Sequence, residues 1–210
     1  MKGLLASQEP EASIRLRRAL DAVPSRDRDG FLDAIFGVDP FVPDEAALPQ
    51  GCVPYIPCAV DVVLQAVDAV PITERDVFVD IGSGIGRAAI LVQLLTGAEA
   101  VGIEIQPALV GRARGLAASL GAARFSCIEG DAAELGACLN RGTVFFLYCP
   151  FSGARLERVF DVLADIARAR RIWVCCVQLP VIERAWLELV TPAADELLIY
   201  RSRSAGNTRC

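Results

Sequence analysis

The stretch VFVDIGSGIGRAAI, residues 77–90, decides the fold of this 210-residue chain. An apolar run leads to Asp80, and the three glycines that follow, Gly82, Gly84 and Gly86, give way to an aliphatic segment. A strand that ends in glycines and turns directly into a helix brings bare backbone and a helix N-terminus to the carboxyl edge of a sheet. The stretch therefore predicts a strand–turn–helix unit that binds a ligand.

The composition is apolar, with 53% hydrophobic residues and a mean hydropathy of +0.41. No run of about 18 residues is free of charge. The start of the chain is a poor signal peptide because Gln8 and Glu9 interrupt its apolar stretch. We therefore expect a cytoplasmic protein with no membrane partner. The net charge of −5 gives no overall attraction to nucleic acid, so no nucleic-acid partner is expected.

The chain contains eight cysteines and no histidine. Because no C-x-x-C pair occurs and several cysteines lie in apolar strand-like runs, free buried thiols are favoured over disulfides or a metal site. The common nitrogen ligand of zinc and the common general base are both missing. Whatever chemistry the protein performs must proceed without imidazole.

The chain divides into two regions near residue 57. We expect residues 1–57 to form an N-terminal cap with helices at about 11–23 and 30–36, followed by extended proline-rich chain over about 39–58. Residues 58–210 should form one domain in which helices and strands alternate. Strands are predicted at about 76–81, 100–105, 124–128, 143–149 and 171–178, and helices at about 59–69, 86–96, 107–120, 131–139 and 153–169.

The predicted strands carry near-continuous apolar runs, which are typical of a parallel sheet covered on both faces. The tail WLELV, TPAADE and LLIYRSR reads as two strands around a turn, that is, an antiparallel hairpin at one edge of the sheet. The whole pattern predicts a Rossmann-like, doubly wound α/β fold. It should contain a mostly parallel seven-stranded sheet, a C-terminal antiparallel hairpin and an N-terminal helical cap.

The ligand of the glycine turn should be uncharged or cationic. The dinucleotide fingerprint has two residues between its second and third glycines, whereas this chain has one. Asp80 would also repel a pyrophosphate, but it suits an ammonium group. S-adenosylmethionine meets these conditions, because it carries an amino-acid end and a sulfonium and has no phosphate.

The segment DIGSGIG at residues 80–86, which includes Ser83, resembles the D/E-x-G-x-G-x-G motif of the class I, seven-strand S-adenosylmethionine-dependent methyltransferases. The resemblance implies that this turn binds the cofactor. It continues in AVGIEI, which ends in Glu104 and Ile105, and implies that Glu104 binds the two ribose hydroxyls. In SCIEGDAAEL it implies that Asp131 contacts the adenine amino group.

The segment VPYIPCAVDVVLQAVDAVPITERDVFVDIGSGIGR, residues 53–87, is similar to the opening of the DOT-type lysine methyltransferases and their small relatives. In that group a Tyr-x-Pro segment folds over the methionine end of the cofactor, which implies this role for Tyr55 and Pro57. The chain departs from the group at Cys58, where the relatives tend to have alanine or a small hydroxyl residue. The alternative interpretation is a tyrosine that only packs in a proline-rich connector.

The fourth predicted strand ends in FFLYCPFSG, residues 145–153. In class I enzymes this strand end faces the transferred methyl group, so the resemblance makes Tyr148, Pro150 and Phe151 the candidate catalytic residues. Amine methylators of the N-P-P-Y kind use it to orient the target nitrogen, but this chain has Cys149 within a different motif. Tyr148 could orient a nucleophile through its hydroxyl, or it could fill the core.

Taken together, the sequence predicts an S-adenosylmethionine-dependent methyltransferase whose acceptor is a protein side chain or a small amine-bearing metabolite. Displacement at a sulfonium needs alignment more than acid–base help, and an amine can lose its proton to water, so a nitrogen acceptor is favoured. Two alternatives stay open: an NAD(P)-dependent oxidoreductase with the same glycine turn, and a non-catalytic cofactor-binding module. The sequence names neither the acceptor nor an oligomeric state.

Overall fold

The computed structural model describes residues 10–39, 42–44 and 48–203. The helices are α1 (Pro10–Asp21), α2 (Ser25–Phe36), α3 (Val60–Ala69), α4 (Arg87–Thr96), α5 (Pro107–Leu120), α6 (Gly136–Leu139) and α7 (Ala154–Ala169). The strands are β1 (Val77–Ile81), β2 (Glu99–Glu104), β3 (Phe125–Glu129), β4 (Val144–Tyr148), β5 (Trp173–Val177), β6 (Leu187–Leu189) and β7 (Leu197–Ser202).

The seven strands form one sheet in the order β3-β2-β1-β4-β5-β7-β6. The first five strands of the chain pair in parallel, whereas β7 is antiparallel to both β5 and β6. The order reverses between β1 and β4, so a crevice opens at the carboxyl ends of these strands. In open α/β sheets this switch point is where ligands bind.

Two hydrophobic cores lie on the two faces of the sheet. One contains buried side chains of α1 to α5, so the N-terminal helices share a core with the glycine-turn helix α4. The other is formed mainly by α7 against the opposite face of the central strands. β1 and β4 are buried on both faces, which explains their continuous apolar sequences.

The architecture confirms the predicted fold class, including the antiparallel C-terminal strands. The largest differences in helix boundaries are in α6, which begins at Gly136 and not near residue 131, and in α2, which begins at Ser25 and not near residue 30. Gly30 lies inside this helix at an exposed position, where the helical cost of glycine, about 1 kcal/mol, is tolerated. In the proline-rich region, residues 40–41 and 45–47 lie outside the described residues, and residues 53–59 contain no helix or strand.

Candidate active site

A cleft opens at the carboxyl ends of β1, β2, β4 and β5, on the edge that the glycine turn predicted. Loops that follow β2, β3, β4 and β5 line it, together with the connector that precedes α3. The lining residues are Leu48, Cys52, Val53, Pro54, Tyr55, Ile56, Gly82, Ile103, Glu104, Ile105, Gln106, Gly130, Asp131, Ala132, Tyr148, Cys149, Pro150, Phe151 and Gln178.

The glycine turn is held against β2 by its backbone. The N–H groups of Gly82 and Ser83 both donate to the carbonyl of Ile103, at 2.9 and 3.1 Å. Gly84 has a φ of +54°, and a Cβ there would lie 2.1 Å from the Tyr55 ring. Glycine is required at this position because the backbone is left-handed and an aromatic ring lies directly on it.

Glu104 is buried at the end of β2, with 6% of its surface exposed. One carboxylate oxygen accepts a hydrogen bond from the N–H of Gly84 at 2.8 Å, and the other accepts one from the N–H of Gln106 at 2.9 Å. Burial raises the pKa of Glu104 above its ordinary value, while these backbone donors oppose the rise. Glu104 therefore fixes the glycine turn to the start of α5.

Asp80 lies behind the glycine turn and is 3% exposed. Its pKa is raised from 3.8 to about 7, chiefly by burial and then by the neighbouring carboxylate of Glu104, while a hydrogen bond from the backbone of Ala89 opposes the rise. Two carboxyl groups in one dry environment resist double ionisation. A cation bound nearby would relieve that repulsion.

The connector of residues 48–57, here called the strap, crosses over the cleft. Cys52 pairs with Phe151 as an isolated antiparallel bridge, and the N–H of Val53 donates to the carbonyl of Pro150 at 3.2 Å. Further along the strap, the N–H of Tyr55 donates to Oδ1 of Asp44, which lies before the strap and also accepts a hydrogen bond from Gln106 Nε2, both at 2.8 Å. These contacts hold the Tyr55 ring over the glycine turn.

Arg87 ties α2 to the first turn of α4. It is 4% exposed and forms ion pairs with Asp29 at 2.9 Å and Asp33 at 2.7 Å, both in α2. It also donates to the carbonyl of Cys58 at 2.6 Å. Because Asp29 additionally accepts from the N–H of Val60, one buried arginine links α2, the start of α3 and the glycine turn.

Asp131 follows β3 and lines the far wall of the cleft. Its Oδ1 accepts a hydrogen bond from the N–H of Ala133 at 3.0 Å, and its Oδ2 pairs with Arg155 of α7. Arg155 also donates to the carbonyl of Gln50 in the strap. An adenine amino group would thus meet a carboxylate that already has two protein partners.

The end of the cleft at β4 and β5 contains Tyr148, Cys149 and Gln178. Cys149 and Gln178 have positive φ values of 40° and 53°, and they are the two such non-glycine residues in the described chain. Burial raises the pKa of Tyr148, and an interaction with the Gln178 side chain opposes that rise. Gln178 Nε2 also donates to Glu196 at 3.2 Å.

The structure brings most of the predicted site residues to one cleft and shows the others behind it. Tyr55, Gly82, Glu104, Ile105, Asp131, Tyr148, Pro150 and Phe151 all line the cleft. Asp80, Ser83, Gly84 and Gly86 are not among its lining residues.

Two of these four residues serve packing. The hydroxyl of Ser83 faces the Cys127 thiol at 3.9 Å, away from the cleft. At Gly86 a Cβ would lie 2.7 Å from the Phe125 ring, so this glycine allows α4 to approach β3.

Sequence reasoning missed Asp44, Arg87, Gln106, Arg155 and Gln178. Arg87 directly follows the glycine motif, so its position was a usable signal once two acidic residues in a neighbouring helix were considered. Asp44 and Gln106 act through contacts between loops far apart in the sequence. Gln178 ends an apolar strand without any motif around it.

A seven-stranded sheet of this order, with β7 antiparallel and the cleft at the β1–β4 switch point, is the fold of the class I S-adenosylmethionine-dependent methyltransferases. An RNA methyltransferase from Salinibacter ruber, in complex with S-adenosyl-L-homocysteine, has 24% identity and a TM-score of 0.56 over 74% of this chain and 98% of that one. A precorrin-6y C5,15-methyltransferase from Geobacter metallireducens has 16% identity and a TM-score of 0.51 over 76% and 94%.

Residues 72–145 match the family model described as a methyltransferase domain. This segment runs from the chain before β1 into β4 and contains the glycine turn, Glu104 and Asp131. A mutant of MtNAS in complex with S-adenosylmethionine, aligned over 69% of this chain and 61% of that one, has 17% identity and a TM-score of 0.53. Residues 72–145 thus resemble a methyltransferase domain, and the chain shares the fold of proteins that bind S-adenosylmethionine or S-adenosylhomocysteine. No curated protein sequence matches it.

Three further observations concern the chemistry open to the protein. The cysteines at 52, 58, 127, 138, 149, 175 and 176 are free thiols. Among the described residues no group of three or more histidine, cysteine or carboxylate side chains could hold a metal ion. Within the same residues no helix is long and apolar enough to cross a membrane.

Proposed function

We propose that this chain transfers a methyl group from S-adenosylmethionine to the nitrogen of a protein side chain or of a small amine-bearing metabolite. The observation that carries the proposal is the charge of the cleft. Its described lining includes two carboxylates and neither lysine nor arginine; Asp131 is paired with Arg155 of α7, and Glu104 forms no ion pair with a described residue. Such a lining favours a cofactor that carries a sulfonium and an ammonium group over one that carries a diphosphate.

The hydrogen bonding of the glycine turn supports the same choice of cofactor. In a dinucleotide site the backbone N–H groups at a strand–helix turn face the pyrophosphate. Here the N–H of Gly84 donates to Glu104, and Tyr55 lies over the same glycine. A diphosphate would have to displace a carboxylate and a ring to reach that donor, so this argument disfavours an oxidoreductase.

The residues present suit an adenosyl cofactor. Glu104 would hold the ribose hydroxyls, Asp131 would face the adenine amino group, and Tyr55 would cover the methionine end, as the likeness to the DOT-type methyltransferases implies. When bound, S-adenosylmethionine supplies a sulfonium methyl group, which an amine lone pair takes while the S–C electron pair returns to sulfur. The chain itself contributes alignment, and the buried core beneath the cleft helps to exclude water.

A nitrogen acceptor suits the β4 end of the cleft, where the described lining includes no histidine. An amine can give its proton to water before attack, so neither histidine nor metal is needed. We propose that nucleic acid is not the acceptor, although one protein of similar fold is named an RNA methyltransferase. The net charge of −5 and the lack of a cation in the described lining support this view.

The free thiols suit a reducing, cytoplasmic location.

The test has a binding arm and a transfer arm. S-adenosylhomocysteine should raise the melting temperature of the purified chain, because a ligand that binds only the native state stabilises it, whereas NAD should not. With tritiated S-adenosylmethionine, label should enter the protein or small-molecule fraction of a cell lysate and not the RNA fraction. Stabilisation by NAD alone would contradict the proposed cofactor. Label in RNA would contradict the proposed acceptor, and binding without transfer would indicate a non-catalytic module.

A further inference from the structure

The cleft has two chemically different ends. At the ends of β1 and β2 the glycine turn and Glu104 form the cofactor half, residues 80–87 and 104–106. At the ends of β4 and β5, residues 148–151 and 178 form what we call the acceptor half. If the proposed function holds, the methyl group points toward the acceptor half, so a residue there must orient the incoming nitrogen.

Few groups in the acceptor half can accept a hydrogen bond from that nitrogen. The thiol of Cys149 is a weak acceptor, and Phe151 has no polar side-chain atom. The carbonyl of Pro150 already accepts the N–H of Val53 at 3.2 Å. Among the described side chains of this half, Tyr148 and Gln178 remain.

The side-chain amide of Gln178 has a defined orientation. Nε2 donates to Oε1 of Glu196 at 3.2 Å. A carboxylate can only accept, so the amide cannot be reversed. With Nε2 turned toward Glu196, Oε1 of Gln178 accepts no hydrogen bond from any described residue.

The backbone at Gln178 is strained, which gives an independent reason to assign its side chain a task. Its φ of 53° lies in the left-handed region, which costs of order 1–3 kcal/mol for an ordinary side chain. Glycine or asparagine would adopt this conformation more easily. Glutamine in this position lowers stability. Its presence therefore indicates that the side chain has a use at the cleft.

We propose that Gln178 binds the methyl acceptor, with Oε1 accepting an N–H hydrogen bond from the acceptor nitrogen, and that Glu196 is a positioning residue that orients the Gln178 amide. This inference rests on the proposed function and refines it: the acceptor is an N–H donor and not an anion. The lone pair of the nitrogen then points away from Oε1, toward the cofactor half.

The decisive variants are Gln178→Gly and Gln178→Asn in the full chain. Gln178→Gly removes the amide and relieves the backbone strain, so its melting temperature should equal or exceed that of the wild type. Its affinity for S-adenosylhomocysteine, measured by calorimetry, should change less than about two-fold, while methyl transfer to the lysate fraction that the wild type labels should fall at least about 30-fold, equivalent to about 2 kcal/mol. Gln178→Asn keeps an amide and should recover part of the activity.

Glu196 gives a second, graded comparison. Glu196→Ala leaves the Gln178 amide without its partner and should raise the acceptor KM more than it lowers kcat. Glu196→Gln can still accept from Nε2 and should restore most of the loss. Glu74→Ala is the matched control, because Glu74 is an exposed glutamate before β1 that does not line the cleft. It should behave as the wild type.

A measurement without turnover separates this inference from the proposed function. In the complex with S-adenosylhomocysteine, the side-chain NH₂ signals of Gln178, assigned by their loss in Gln178→Gly, should shift when n-butylamine is added and not when butyrate is added. No shift with n-butylamine, or wild-type activity of Gln178→Gly, would overturn the role of Gln178. A shift with n-butylamine but no transfer to any fraction would support the role of Gln178 and contradict the proposed transfer.

Discussion

The two halves of the cleft use the same backbone conformation for opposite reasons. In the cofactor half the left-handed positions are Gly82, Gly84 and Gly86, and in the acceptor half they are Cys149 and Gln178. At Gly84 a side chain cannot fit, because a Cβ would lie 2.1 Å from the Tyr55 ring. At Cys149 and Gln178 the side chains fit and face the cleft, although the backbone disfavours them. A positive φ in the cofactor half thus accompanies a glycine on which another residue packs closely. In the acceptor half it occurs at residues that keep a side chain despite the strain.

The largest effect is expected at Glu104, the buried carboxylate of the cofactor half, and it concerns affinity for the cofactor. Glu104→Ala removes a hydrogen-bonding carboxylate and leaves the N–H groups of Gly84 and Gln106 without their acceptor. A hydrogen bond to a charged group contributes about 1.5–3 kcal/mol. We therefore expect affinity for S-adenosylhomocysteine to fall roughly 10- to 100-fold by calorimetry. Glu129→Ala is the control, because Glu129 pairs in register with Glu104 but is exposed at the end of β3. Unchanged affinity of Glu104→Ala would remove Glu104 from the cofactor site.

A second prediction tests whether the glycines of the cofactor half are there for space. Gly84→Ala adds a Cβ in a left-handed conformation, which costs about 1–2 kcal/mol, and it forces the Tyr55 ring off the turn. Its free energy of unfolding should fall by at least that amount in urea titrations. Gly111→Ala is a matched control, since a Cβ at that helical glycine meets nothing within 4 Å. There the free energy of unfolding should rise by up to about 1 kcal/mol. Equal effects of the two variants on the free energy of unfolding would refute the explanation that Gly84 is needed to leave space for the Tyr55 ring.

The sequence predicted lining residues in both halves: Tyr148, Pro150 and Phe151 in the acceptor half, and Gly82, Glu104 and Ile105 in the cofactor half. The spacing of the glycines predicted the turn after β1. Continuous apolar runs separated by turn residues predicted the order of strands and helices. Asp44, Arg87 and Gln106 act through contacts between separate loops and helices, which no local pattern encodes. The strain at Cys149 and Gln178 could not be predicted from residue type, because cysteine and glutamine, unlike glycine, have no preference for a positive φ. The strap over the cleft could be placed only through its pairing with residues 150–152.

A third prediction uses the buried Asp80 of the cofactor half. Its pKa is raised from 3.8 to about 7, so between these values the folded protein holds a proton that the unfolded chain has lost. The free energy of unfolding should therefore fall as the pH rises through this window. A bound sulfonium favours the carboxylate, so cofactor affinity should rise with pH over the same window, by at most about ten-fold per pH unit for one proton.

Calorimetry in two buffers of different ionisation enthalpy detects the proton released on binding near pH 6. In Asp80→Asn that release should vanish, and the affinity should no longer rise with pH. Proton release that persists in this variant would assign the titration to another group, with Glu104, whose pKa burial also raises, as the first candidate.

The smallest effect is expected at Cys149 and has the opposite sign to that at Gly84. With a φ of 40° this residue pays for a conformation that asparagine adopts more readily. Its N–H, which donates to the carbonyl of Val177 at 3.1 Å, is kept in any substitution except proline. Cys149→Asn should raise the free energy of unfolding by about 1 kcal/mol or less, whereas the β-branched Cys149→Val should lower it. Urea titrations of both variants measure the difference. A gain with valine or a loss with asparagine would show that the acceptor half is not strained, and the contrast between the two halves would then fail.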